Sequence, residues 1–159
     1  MKLKYLILLF TAVFFANTSF AQMSPPDFNA VEAAGLIKYD SDKVIKKLKI
    51  QKDSVKTLVS KYIQTYNQEI DNLIFIHGNS LKELENEFDR NVKIAFQNRD
   101  RSQMDGVKAK IKQTIPPIRY EVNEFEKALN ERLAQILTEK ENKKWLKYQK
   151  SKKPSNGNF

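Results

Sequence analysis

Residues 51–98 read QKDSVKTLVSKYIQTYNQEIDNLIFIHGNSLKELENEFDRNVKIAFQN, and their spacing decides the fold. Val55, Val59, Tyr62, Tyr66, Ile70, Leu73, His77, Leu81, Leu84, Phe88, Val92 and Ala95 follow one another at steps of three or four. The mean step is that of a straight α-helix, which gathers these side chains onto one face. Leu58, Ile63, Ile74 and Phe96 widen that face, and Lys, Glu, Gln and Asn fill the opposite one. His77-Gly78-Asn79-Ser80 is the weak point, because Gly and Asn are poor helix formers and Ser80 with Glu83 has the spacing of a capping box. A tight hairpin there would reset the phase of the stripe, and the phase is kept. The spacing therefore predicts one continuous or kinked helix.

Outward from this stretch, Asn98-Arg99-Asp100-Arg101-Ser102 reads as a turn. A second long helix is predicted from about Gln103 to Leu137, on the stripe Met104, Val107, Ile111, Ile115, Ile118, Val122, Phe125, Leu129, Leu133 and Ile136. Pro116-Pro117 falls inside it. Each proline lacks an N–H and crowds a carbonyl one turn back, so a bend is expected, and the in-phase stripe argues against a reversal. Thr138 and Glu141 have capping-box spacing and open a last helix, Glu139 to Lys150, that brings Trp145, Leu146 and Tyr148 close together. On the other side, Asp40-Ser41-Asp42 supplies N-cap side chains for a short helix, Lys43 to Lys49, with Val44, Ile45 and Leu48 as its apolar side. Residues 22–41 read as a flexible leader, mobile or lying along the domain surface, interrupted by Pro25-Pro26, with a helical turn near Ala30–Ala34 that ends at Gly35. Residues 151–159 read as a disordered tail. The expected fold is all-α: a long antiparallel helical hairpin with a short helix at each end. So thin an object buries one face per helix, and a cradle-like homodimer that buries a second face is expected.

The N-terminus has the pattern of a secretory signal peptide, with Lys2 and Lys4 preceding an apolar run from Tyr5 to Ala16. Ser19 and Ala21 stand where a signal peptidase takes small side chains, so cleavage is expected after Ala21, followed by release into the periplasm. The rest of the chain has no apolar run long enough to span a bilayer. The chain has no Cys, which excludes disulfides and a lipidated cysteine. Its formal net charge of +9 falls to +7 once Lys2 and Lys4 are removed. Such a balance in an intracellular protein would suggest nucleic acid; export removes that partner and favours anionic envelope surfaces or acidic polypeptides. Only 4 Gly and 5 Pro occur, too few for an all-β fold with its frequent turns.

No constellation in the sequence carries enzyme chemistry. The acid pairs Glu83/Glu87 and Glu121/Glu124 lie one turn apart on Lys-rich helices, where such pairs usually face solvent. His77 is the single histidine, sits on an apolar stripe, and has no nucleophile motif beside it. With no Cys and few Met, neither a metal site nor a cofactor is expected. Two lysine clusters are the candidate binding elements. Lys43, Lys46 and Lys47, with Lys49 and Lys52, belong to the first short helix. Lys140, Lys143, Lys144 and Lys147, with Lys150, Lys152 and Lys153, belong to the last. Either can be a solubilising face, and together they can form the rim of a basic cradle. Tyr62, Tyr66, Phe88, Phe96, Phe125, Trp145 and Tyr148 are mostly core at this spacing, and those left exposed would be available to a polypeptide.

Leu137-Thr138-Glu139-Lys140-Glu141 resembles the Leu-Thr-x-x-Gln motif of the Spy/CpxP family of periplasmic helical proteins, with Glu141 at the Gln position. A weaker copy stands at Ile50-Gln51-Lys52-Asp53-Ser54, where Gln51 replaces the Thr and Ser54 the Gln. The resemblance covers roughly residues 42–150. It implies a four-helix protein of the envelope stress response. Some members of that family are ATP-independent chaperones that hold unfolded polypeptide clients in a dimeric, basic, partly apolar cradle; others bind a sensor kinase, and related members sense metals. On this reading the motif residues are Leu137, Thr138 and Glu141, and the partners are unfolded clients or one envelope protein. The shortage of soft ligands disfavours the metal-sensing branch.

Overall fold

The computed structural model describes residues 27–153. The expected signal peptide of residues 1–21 and the end of the expected tail, residues 154–159, lie outside the described residues. Among the described residues every regular element is helical: α1 (Ala30–Ala33), α2 (Ser41–Leu48), α3 (Asp53–Asn98), α4 (Gln103–Ile136) and α5 (Glu139–Lys152).

The helix α3 is unbroken over 46 residues, about 70 Å at a rise of ~1.5 Å per residue. It passes through Gly78, and Ser80 donates its hydroxyl to the His77 carbonyl without capping a new helix. Val59, Tyr66, Ile70, Leu73, Leu81, Leu84, Phe88, Val92 and Ala95 are buried, as the stripe predicts. Ile63 is fully inside, and Tyr62 and His77 are half-buried at the edge of that face. The chain turns at Arg99, a left-handed residue with φ 53°. Asp100 then accepts from the Ser102 backbone at 2.9 Å and from its hydroxyl at 2.7 Å, and holds the start of α4. The helix α4 returns along α3 and is unbroken through Pro116 and Pro117, both on its exposed side. The ion pair between Lys110 and Glu87, at 2.5 Å, marks the register of the hairpin.

The described part of the expected leader lies along the hairpin and is packed into it. Phe28, Ala30, Ala34, Leu36 and Tyr39 are all buried. Phe28 packs on Phe88 with ring centroids 4.8 Å apart, and Tyr39 packs on Tyr66 at 5.3 Å. Glu85 accepts from the Ala30 backbone at 2.7 Å, Asn67 accepts from Tyr39 at 3.0 Å, and Arg119 donates to the Ala33 carbonyl. The physical reason is that a two-helix hairpin leaves one apolar side open, and this segment runs back along α3 from Phe88 to Asn67 and closes it. Gly35 makes the bend after α1 with φ 78°, a conformation in which a side chain is strained.

Candidate binding surface

The motif residues sit at one corner. Thr138 is the N-cap of α5, and its hydroxyl accepts from the Glu141 backbone at 3.3 Å. The Glu141 carboxylate accepts in return from the Thr138 backbone at 2.9 Å and from its hydroxyl at 2.7 Å. These bonds, helped by the charges of Lys144 and Lys52, hold the Glu141 carboxyl below the usual carboxylate range. Leu137 is buried and ties the corner to the core. The weaker motif copy forms the neighbouring corner. Leu48 and Ile50 are buried, and Lys49 ends α2 in a left-handed conformation with φ 62°. Gln51 donates to the Lys49 carbonyl at the end of α2 at 3.3 Å, and the N-cap of α3 is Lys52, which makes no side-chain capping bond. Lys144 Nζ donates to the Leu48 carbonyl at 3.2 Å and joins the two corners.

This join brings both lysine clusters to the same end of the molecule. Lys43, Lys46 and Lys47 are exposed on α2, and Lys140, Lys143 and Lys147 are exposed on α5. Lys144 is half-buried and serves the corner. The acids of this end are largely committed to local bonds. Asp40 caps α2 through the Lys43 backbone, Asp53 pairs with Lys56 at 2.8 Å, and Glu139 pairs with Lys143 at 2.6 Å.

A second feature lies in the middle of the hairpin. Phe75 is 90% exposed and Ile76 67%, consecutive residues on α3 on the side away from the core. Tyr120 of α4 is also 67% exposed. It stands ten residues past Lys110, just as residue 77 stands ten before Glu87, so the paired register places Tyr120 level with Phe75 and Ile76. Of the aromatic residues weighed from sequence, Tyr66, Phe88 and Trp145 are core, Tyr62, Phe125 and Tyr148 are half-buried, and Phe96 is exposed.

Sequence reading missed a buried polar cluster under α5. Glu126, on α4, is 6% exposed and accepts from the Tyr39 hydroxyl at 3.3 Å and from Lys153 at 2.5 Å. Trp145 donates its indole N–H to Asn130 at 2.6 Å, and Asn130 donates to Gln149 at 3.1 Å. Burial, and then the Glu126 charge, push the Tyr39 and Tyr66 hydroxyls well above their ordinary pKa of 10.0. The signal available in the sequence was that Glu126 follows Val122 by four residues and precedes Leu129 by three, a spacing that puts it on the inward face beside Phe125. The acid pairs are not sites of convergence: Glu87 bonds Lys110, and Glu83, Glu121 and Glu124 are exposed. Among the described residues no group of three or more His, Cys, Asp and Glu side chains converges on a point that would hold a metal ion, and no helix is long and apolar enough to cross a membrane.

Comparison with family models, with curated proteins and with solved structures finds no match to this chain.

Proposed function

We propose that the protein is an exported holding protein of the cell envelope, which binds unfolded polypeptide without ATP. The single observation that carries the reading is the exposure of Phe75 and Ile76 in the middle of α3. A phenylalanine and an isoleucine that face water contribute nothing to the core, and neither is a strong helix former. Side by side on an unbroken helix they offer an apolar hold on a rigid surface. The lysine-rich end supplies long-range attraction, so that encounter is fast and contact is weak. The resemblance of Leu137-Thr138-Glu141 to the Spy/CpxP motif supports the same role and the periplasmic location. Homodimerisation into a cradle belongs to this proposal, with Phe96 as further apolar surface left outside the core of one chain.

Light scattering by several unrelated aggregating proteins tests it. The wild-type protein is expected to slow aggregation at low salt without nucleotide, and less so at high salt. A Phe75→Ser/Ile76→Ser variant is expected to lose most of this effect while keeping its helical circular dichroism. No protection of any client would defeat the proposal, and protection of one partner alone would favour a dedicated envelope-protein module.

A further inference from the structure

The protein carries its positive charge at one end. Residues 57–136, which contain most of the hairpin, hold 12 Lys and Arg against 12 Asp and Glu. Residues 40–56 hold six Lys against three Asp, and residues 137–153 hold seven Lys against two Glu. These two short segments therefore carry a net charge of +8, slightly more than the +7 of the whole exported chain. They are far apart in sequence and are joined by the Lys144 bond to the Leu48 carbonyl.

The kind of cation is informative. All five arginines of the chain lie in the neutral hairpin, and every basic residue of the charged end is Lys. Arg is suited to forked recognition of one carboxylate or phosphate, whereas Lys is a strongly hydrated point charge suited to a diffuse anionic layer. On α5, Lys140, Lys143, Lys147 and Lys150 recur at steps of three and four and are exposed, so they form one outward stripe. Leu146 is 45% exposed beside this stripe, and an apolar side chain among lysines suits the headgroup boundary of a bilayer.

From this polarity we propose that the α2–α5 end docks on an anionic lipid surface through its lysines, with Leu146 entering the headgroup layer and the neutral hairpin projecting away. The inference rests on the charge of this end, which polypeptide holding uses only for encounter, and it does not depend on holding at Phe75 and Ile76. Each Lys near such a surface is worth about a five-fold change in binding.

The test is sedimentation of the protein, in its exported form, with phosphatidylglycerol-containing vesicles and with purely phosphatidylcholine vesicles. Binding is expected only to the anionic vesicles, and to fall steeply as salt is raised. The K140Q/K143Q/K147Q variant is expected to weaken binding at least tenfold. The K82Q/K93Q/K127Q variant removes the same charge from exposed hairpin positions and is expected to change it less than about twofold. Equal binding to both vesicle types, equal loss in both variants, or binding to polyglutamate with none to anionic vesicles would overturn the proposal.

Discussion

Thr138 shows how one residue fixes a corner. Its hydroxyl and backbone share three bonds with Glu141, and Thr138→Ala is expected to destabilise the protein by about 1 kcal/mol in urea unfolding. The same corner predicts acid behaviour. Hydrogen bonding to Thr138 lowers the Glu141 pKa, a backbone bond from Lys43 lowers that of Asp40, and bonds from Ser102 lower that of Asp100. A pKa lower in the folded than in the unfolded chain gives stability that is present above the ordinary carboxylate values, 3.8 for Asp and 4.5 for Glu, and is lost as pH falls through the folded ones. The urea midpoint is expected to fall below about pH 4.5, with a shallower fall in Glu141→Gln. Tyr39 and Tyr66 act at the other extreme. Their raised values favour the folded state below pH 10.0, and that preference fades above it as the unfolded tyrosines ionise. Absorbance titration is expected to show both groups silent until the protein unfolds. The capping box was legible in the sequence because it is a local pattern. Glu126 was not, because its partners Tyr39 and Lys153 lie 87 and 27 residues away.

Among the elements, the long helices were the most legible. A period that never breaks phase over residues 55–95 leaves little freedom in which side chains face inward, and the buried residues of α3 follow that stripe closely. Gly78 is the soft position of this helix. An added Cβ there meets nothing within 4 Å, so Gly78→Ala is expected to stabilise the protein by about 0.5–1 kcal/mol, read as a higher urea midpoint at unchanged slope. The N-terminus of α3 lacks a capping side chain at Lys52, and Lys52→Ser is expected to add about 0.5–1 kcal/mol by the same measurement. Residues 28–39 were the least legible segment. Their apolar residues have no helical or strand period because they follow the groove of the hairpin, a shape that exists only after α3 and α4 have paired.

The whole molecule combines a hairpin closed on one side by its own N-terminal segment, apolar side chains exposed halfway along it, and a lysine-rich end. The joining of the two lysine clusters was foreshadowed by the antiparallel layout, which returns the last helix to the level of the first. The exposure of Phe75 and Ile76 was not foreshadowed, since periodicity assigns a face without saying whether another element covers it. Site-specific photo-crosslinking tests the holding proposal most directly. A crosslinker at position 76 is expected to capture an unfolded client in high yield, and one at the exposed position of Asp105, near the turn of the hairpin, to capture little. Equal yields from the two positions, or capture from position 105 alone, would contradict the account.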